Sequence, residues 1–153
     1  MKALLLPLLM LVTSFLVAAD IPTQTPLEKK YHHAAYVGDL DTLRQCIREG
    51  VDVNCQDPYG NTAMMHAVVY RKDKILDFLL LICSDVNRQT NRGTTALMMA
   101  AQTQNKPAVY KLVDAGANTS LRNFQQKTAY DLAKGSKDKS LENYLQAAEK
   151  TAR

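Results

Sequence analysis

Three histidines and three cysteines are the side chains best suited to ligate a metal or attack a substrate in this 153-residue chain: His32, His33, His66, Cys46, Cys55 and Cys83. A zinc ion holds its nitrogen ligands at ~2.0–2.1 Å, and it draws them from a compact set of donors. His33 and His66 stand 33 residues apart, and no cysteine or carboxylate joins them at a recognisable ligand spacing. The histidines therefore read as structural groups. Covalent and phosphoryl chemistry find no better support. There is no Gly-x-Ser-x-Gly, no His-Glu-x-x-His and no phosphate loop of the Gly-Lys-Ser/Thr type. The carboxylates fall in turns or on exposed helix positions. The expectation is a non-catalytic protein with no cofactor and no metal.

The 33-residue separation is general. Gly60-Asn61-Thr62-Ala63-Met64-Met65-His66-Ala67 aligns with Gly93-Thr94-Thr95-Ala96-Leu97-Met98-Met99-Ala100, and again with Gln126-Lys127-Thr128-Ala129-Tyr130-Asp131-Leu132-Ala133. A period of this size denotes stacked supersecondary units, each burying its apolar face on its neighbours. Thr62, Thr95 and Thr128 stand where a helix N-cap is wanted, since a hydroxyl there accepts from an orphan N–H of the first turn. Met64, Ala67 and Val68 then fall at i, i+3 and i+4, as do Leu97, Ala100 and Ala101, and Tyr31, Ala34 and Ala35. A second helix follows, with the stripes Leu43-Cys46-Ile47, Leu76-Leu79-Leu80 and Val109-Leu112-Val113. Asn105 suits the cap of the third copy, with Pro107 in its first turn. Gly50 and Gly116 stand just past the second helix, and Val51-Asp52-Val53-Asn54 and Ser84-Asp85-Val86-Asn87 lead out as polar turns.

These residues resemble the ankyrin repeat. Thr95-Ala96-Leu97-Met98-Met99-Ala100-Ala101 with Ala115-Gly116-Ala117-Asn118 is the nearest copy of that pattern; Gly38-Asp39-Leu40 and Gly50-Val51-Asp52-Val53-Asn54 mark the first unit. The resemblance implies an all-α solenoid of about four helix-turn-helix units, at 24–56, 57–89, 90–122 and 123–146, with polar loop tips and a polar tail over 147–153. It also places His32 where the family often has a histidine that satisfies backbone groups between repeats. The first unit departs from the pattern with Lys29-Lys30 in place of Thr-Pro, and the last with Asp131 and Lys137-Asp138-Lys139; polar terminal units act as caps. The second unit has Arg71 and Cys83 where the first has Gly38 and Gly50. A positive φ at such a residue costs ~1–2 kcal/mol, so local distortion is expected there. Its second helix, with Phe78, Leu81 and Ile82, is apolar almost all round. It is either covered by rearrangement or a tail, or it is a second interface.

The ends set the compartment. Lys2, the apolar run Ala3 to Ala19 and the small residues Val17-Ala18-Ala19 have the order of a secretory signal, with cleavage expected before Asp20. Residues 1–19 are thus read as a leader and 20–23 as a linker. A spanning helix needs ~20 apolar residues, and this run is shorter and contains Pro7, so no stable membrane insertion is expected once the leader is removed. Small exported bacterial proteins of the same family make the periplasm the expected compartment, with secretion as the eukaryotic equivalent. The formal net charge of +4 is spread thinly, and Arg71-Lys72 and Lys137-Asp138-Lys139 are too short or mixed to track a nucleic acid. Three cysteines in an exported chain leave at least one unpaired within it. Cys46 shares a column with Leu79 and Leu112 and reads as buried. Cys55 and Cys83 sit in connecting segments, and either they pair or one remains a free thiol.

Columns not needed for packing are free to carry function. Beside each Thr cap they include Tyr59 and Asn61, then Arg92, then Phe124 and Gln125; at the end of the first helix they include Tyr36, then Val69 and Tyr70, then Gln102. The ankyrin resemblance implies binding through loop tips and the inner helix face, and tyrosine and arginine are favoured as interface anchors. These nine residues are the candidate protein-binding site. The expected function is an exported scaffold, monomeric, that recognises another protein. Its more specific forms are an immunity protein or inhibitor neutralising a periplasmic toxin or enzyme, a partner of a periplasmic catalase in oxidative defence, or a thiol redox sensor. The last requires an exposed cysteine of lowered pKa.

Overall fold

A computed structural model describes residues 24–82, 84–135 and 139–151. The expected leader and linker, Cys83, and Lys137-Asp138 lie outside the described residues. The described residues form eight helices in chain order and no strand: α1 (Pro26–Val37), α2 (Leu40–Arg48), α3 (Ala63–Val69), α4 (Asp73–Leu81), α5 (Ala96–Gln102), α6 (Lys106–Asp114), α7 (Ala129–Ala133) and α8 (Lys139–Thr151). They pair as α1–α2, α3–α4, α5–α6 and α7–α8. The first members pack on one another in sequence, α1 on α3, α3 on α5 and α5 on α7, while α4 packs on α6 in a second layer. This is the helix-pair solenoid expected from the period.

Local chemistry starts each inner helix. Thr62, Thr95 and Thr128 are extended caps whose hydroxyls accept from the N–H groups of Met65, Met98 and Asp131. The first unit follows another rule. Lys29 occupies the cap column, yet α1 begins a turn earlier, capped by Thr25, with Pro26 in its first turn and a reciprocal bond from the Thr25 N–H to Glu28 Oε2 at 2.7 Å. The absent Thr-Pro is therefore replaced rather than lost, and α1 is twelve residues long. Asp39 and Asn105 cap α2 and α6, whereas Lys72 gives α4 no side-chain cap.

The core runs the length of the stack. Ala34, Ala67, Ala100 and Ala133 are buried one per unit, and their small side chains let the inner helices approach closely. Leu43, Leu76 and Val109, with Cys46, Leu79 and Leu112, are buried between the two layers, while Ile47, Leu80 and Val113 are only half-buried. Leu141 and Leu145 of α8 close the C-terminal end against α7, and that helix continues through the stretch read as a tail as far as Thr151. Arg71 does take a positive φ of 53°, but Gln104, in the same column of the third unit, matches it at 52°. The strain is thus shared by two units rather than peculiar to the second. Arg71 also gains a bond, its Nη2 donating to the Thr103 carbonyl at 3.0 Å. Arg44 of α2 lies over the half-buried Phe78 ring of α4, which also packs against the core, while Leu81 remains 78% exposed.

Hydrogen bonds that span about one period join the units. Gln56 Nε2 donates to the carbonyls of Gly60 and Gln89, and Gln89 Nε2 repeats this toward Gly93 and Arg122. Asn54 Oδ1 accepts from the Asp85 N–H, and Asn87 Oδ1 from the Asn118 N–H. Buried Asn105 donates from Nδ2 to the Val68 carbonyl at 2.9 Å. Tip to tip, the Asn91 N–H donates to the Tyr59 carbonyl and the Phe124 N–H to the Arg92 carbonyl. Gly60 permits this approach. Its φ is +82°, and a Cβ there would stand 2.5 Å from the Asn91 nitrogen, whereas a Cβ on Gly116, at φ +85°, would meet nothing within 4 Å. Both Gly→Ala changes incur the left-handed penalty of ~1–2 kcal/mol, but Gly60→Ala must also separate two tips. Gly60→Ala is expected to destabilise the chain by about 2 kcal/mol more than Gly116→Ala, the order of an overpacking cost. Urea unfolding of the two variants measures that difference.

Candidate functional site

Each loop tip is a hairpin closed by one side chain. Asp57 Oδ1 accepts from the N–H groups of Tyr59 and Asn61, Thr90 Oγ1 from those of Arg92 and Thr94, and Asn123 Oδ1 from those of Gln125 and Lys127. A backbone pair also crosses the base of each tip, from the Asp57 N–H to the Asn61 carbonyl, Thr90 to Thr94 and Asn123 to Lys127. The main chain at the tips is thereby satisfied internally. Between these closures Asn91 ties its tip to the one before, its Nδ2 donating to the Pro58 carbonyl, whereas Tyr59 is 75% exposed, Phe124 77%, and Arg92 and Gln125 also face solvent.

Between tips and inner helices runs a concave groove made of two adjoining clefts, of about 390 and 320 Å³. Tyr59, Asn61 and Met99 line the first, Phe124, Gln125 and Leu132 the second, and Arg92, Thr94 and Gln102 border both. A shallower depression continues from Asn61 and Met99 to His66, Val69 and Tyr70. Tyr36 joins through an edge-to-face contact with Tyr70, ring centroids 4.3 Å apart. All nine candidate residues therefore lie along one continuous surface. Tyr36 and Tyr70 spend part of their rings on each other and are roughly half-exposed, so they are less free than Tyr59 and Phe124. Met99 and Leu132 were not anticipated as groove residues. They share the column of His33 and His66, to which the repeat pattern assigns neither a packing stripe nor a binding role.

The histidines meet differently from their spacing. His66 approaches His32 rather than His33, with ring centroids 5.5 Å apart, while His33 is exposed and stacks on Tyr36. His66 Nε2 lies 3.2 Å from Asp57 Oδ2, so it braces the carboxylate that closes the first tip. His32 Nε2 lies 3.5 Å from Cys55 Sγ, a free thiol. Among the described residues no three His, Cys, Asp or Glu side chains come together as a metal-binding group. The Cys55–His32 pair is tuned away from nucleophilic chemistry, because burial pushes the thiol up to about 12 and, with the neighbouring His66, pushes the imidazole down to about 4. Thiolate and imidazolium, the reactive forms, are both disfavoured.

A family model for ankyrin repeats, in three copies, matches residues 31–123. The chain belongs to the ankyrin-repeat family. Ankyrin repeat domain-containing protein SAT10 of Stachybotrys chartarum is 33% identical over 102 residues, 67% of this chain and 5% of its own length. The putative ankyrin repeat protein YahD of Escherichia coli is 35% identical over 63 residues, 41% of this chain and 31% of that protein. RelA-associated inhibitor of Mus musculus is 32% identical over 84 residues, 55% of this chain and 10% of its own. The chain thus spans less than a third of each of these relatives. Ankyrin repeats are protein-binding scaffolds, and the groove lies where the family resemblance implies binding. Among the described residues no helix is long and apolar enough to cross a membrane.

The buried imidazole makes stability depend on pH. The unfolded chain takes up a proton at His32 as pH falls through about 6.5, while the folded chain resists until about 4, so stability declines across that window and levels off below it. His66, also lowered by burial, adds to the same decline. Asp57 acts lower: burial would raise it, but hydrogen bonds from Asn61 and Tyr59 hold it below the usual carboxylate range, so its contribution is lost only below about pH 4. His32→Met, which copies Met65 and Met98 of the same column, is expected to remove up to about 3 kcal/mol of the fall between pH 6.5 and 4. Urea titrations at a series of pH values read that slope.

Proposed function

We propose that the mature chain is an exported, non-catalytic scaffold that recognises another protein through its groove. The observation that carries this reading is the pair of large aromatic rings, Tyr59 and Phe124, held in solvent on tips whose backbone is already hydrogen-bonded. Solvent exposure leaves most of each ring's apolar area unburied, roughly 25 cal/mol per Å² that a partner recovers by covering it. Fixed tips reduce the ordering cost of binding. The apolar leader ending at Ala19 supports export, to the periplasm or a secretory route, and membership of a scaffold family supports a protein as partner. The nine candidate residues form the contact surface, with Tyr59 and Arg92 at its centre, Tyr36 and Tyr70 at one end and Phe124 and Gln125 at the other.

Among the specific forms, neutralisation of a toxin or enzyme has some support from a relative named as an inhibitor. Partnership with a periplasmic catalase would use the same groove. A thiol sensor at Cys55 is disfavoured, because burial keeps that thiol protonated and shielded. The deciding experiment immobilises the mature chain and captures proteins from the compartment that holds it. Tyr59→Ala with Phe124→Ala is expected to weaken capture of the principal partner by about 30-fold or more, the scale of two interface anchors, with an unchanged melting temperature. Full capture by the double variant would remove the groove from consideration and move the interface to the outer surface around Leu81.

A further inference from the structure

Resting on that reading, the charge pattern of the groove identifies the kind of segment it takes. Arg92 borders both clefts, and among the described residues no carboxylate lines either cleft. Its backbone is fixed on both sides, the N–H donating to Thr90 Oγ1 and the carbonyl accepting from the Phe124 N–H. Its guanidinium, in contrast, takes no ion pair or hydrogen bond among the described residues. Arg44 lies over Phe78, Arg71 donates to Thr103, and Arg122 donates to Gln126 and faces Asp131, while Arg48 and Arg88, exposed like Arg92, line neither cleft. Arg92 is thus a planar, five-donor cation launched from a fixed point, with a cleft on each side that sets two large apolar side chains among neutral polar ones. On one side are Tyr59 and Met99, on the other Phe124 and Leu132.

We propose that the groove binds a partner segment that places an Asp or Glu carboxylate on Arg92 and apolar side chains in the flanking clefts. A guanidinium takes a carboxylate in a two-bond fork, a geometry that a neutral side chain cannot reproduce. The flanking rings supply area, and the absence of groove carboxylates leaves nothing to compete for Arg92 or to repel the incoming acid. Basic segments are rejected at the same point, since a second cation there meets like charge with no counter-ion beside it. The exposed charge also makes the interaction weaken as salt rises.

Selection of a random peptide library on the purified chain tests this. Peptides enriched on the parent protein are expected to contain Asp or Glu flanked by aliphatic or aromatic residues, and Arg92→Glu is expected to turn the selection toward Lys and Arg. A synthetic peptide carrying the enriched sequence should bind Arg92→Ala about 10-fold more weakly than the parent, while Tyr59→Ala with Phe124→Ala weakens it independently. Enriched peptides that lack acidic residues, or that ignore Arg92→Glu, overturn the acidic assignment; if they still depend on Tyr59 and Phe124, the groove stands as a binding site for another chemistry. Peptides indifferent to all three residues, or no enrichment at all, overturn both.

Discussion

Each unit of this chain carries an apolar stripe that it cannot bury alone. The 33-residue step gives a helix pair, and a helix pair has two faces to cover but only neighbours to cover them with. Everything else follows from that constraint. Small residues are needed where inner helices meet, hence alanine at 34, 67, 100 and 133. The loops must keep pace with the helices, so each tip bonds to the next through its main chain. The ends must stop the series, and they do so by different means: α1 gains an extra turn with its own capping box, while α8 lays Leu141 and Leu145 on the last inner helix and turns a charged surface outward.

Local roles could be read from the residues, and roles at a separation of one period could not. A threonine before an apolar run announces a cap because the bond it makes closes within three residues, and Thr62, Thr95 and Thr128 all make it. Gln56 and Gln89 carry no such mark, yet each ties two units together through carbonyls that lie next to it only after stacking. Asp57, Thr90 and Asn123 share a column and a duty while differing in chemistry, so a search for identical residues passes over them. The candidate binding columns come by subtraction, as positions without a packing role. That reasoning gathers side chains that lie on one face but passes over Met99 and Leu132, which line the clefts beside them.

The His32–His66 contact shows why column arithmetic has limits. Residues 33 apart are related by one step of the stack, but side chains lean, and a ring one residue along reaches its neighbour sooner. His32 is drawn inward between units and stays neutral; His66 turns toward Asp57 and braces a tip. The pair therefore links the interior of the first interface to the shape of the first loop. Keeping the imidazoles uncharged avoids burying a charge, although His32 Nδ1 stays buried without a hydrogen-bond partner among the described residues. It also places one acid-sensitive element of the stack at its N-terminal junction.

Rigidity at the tips bears directly on recognition. A loop that must order on contact loses affinity in proportion to what it freezes. In this stack the backbone of Tyr59, Arg92 and Phe124 is held before any partner arrives, by one side-chain acceptor per tip and one main-chain bond between tips. Only side-chain rotamers remain to be fixed. The same ladder sets the spacing of the three anchors, so a partner cannot adjust one without disturbing the next. For the proposed interface, specificity then rests on where charge and apolar area fall along a fixed row, and the sign of the charge at Arg92 is the part of that row that packing does not determine.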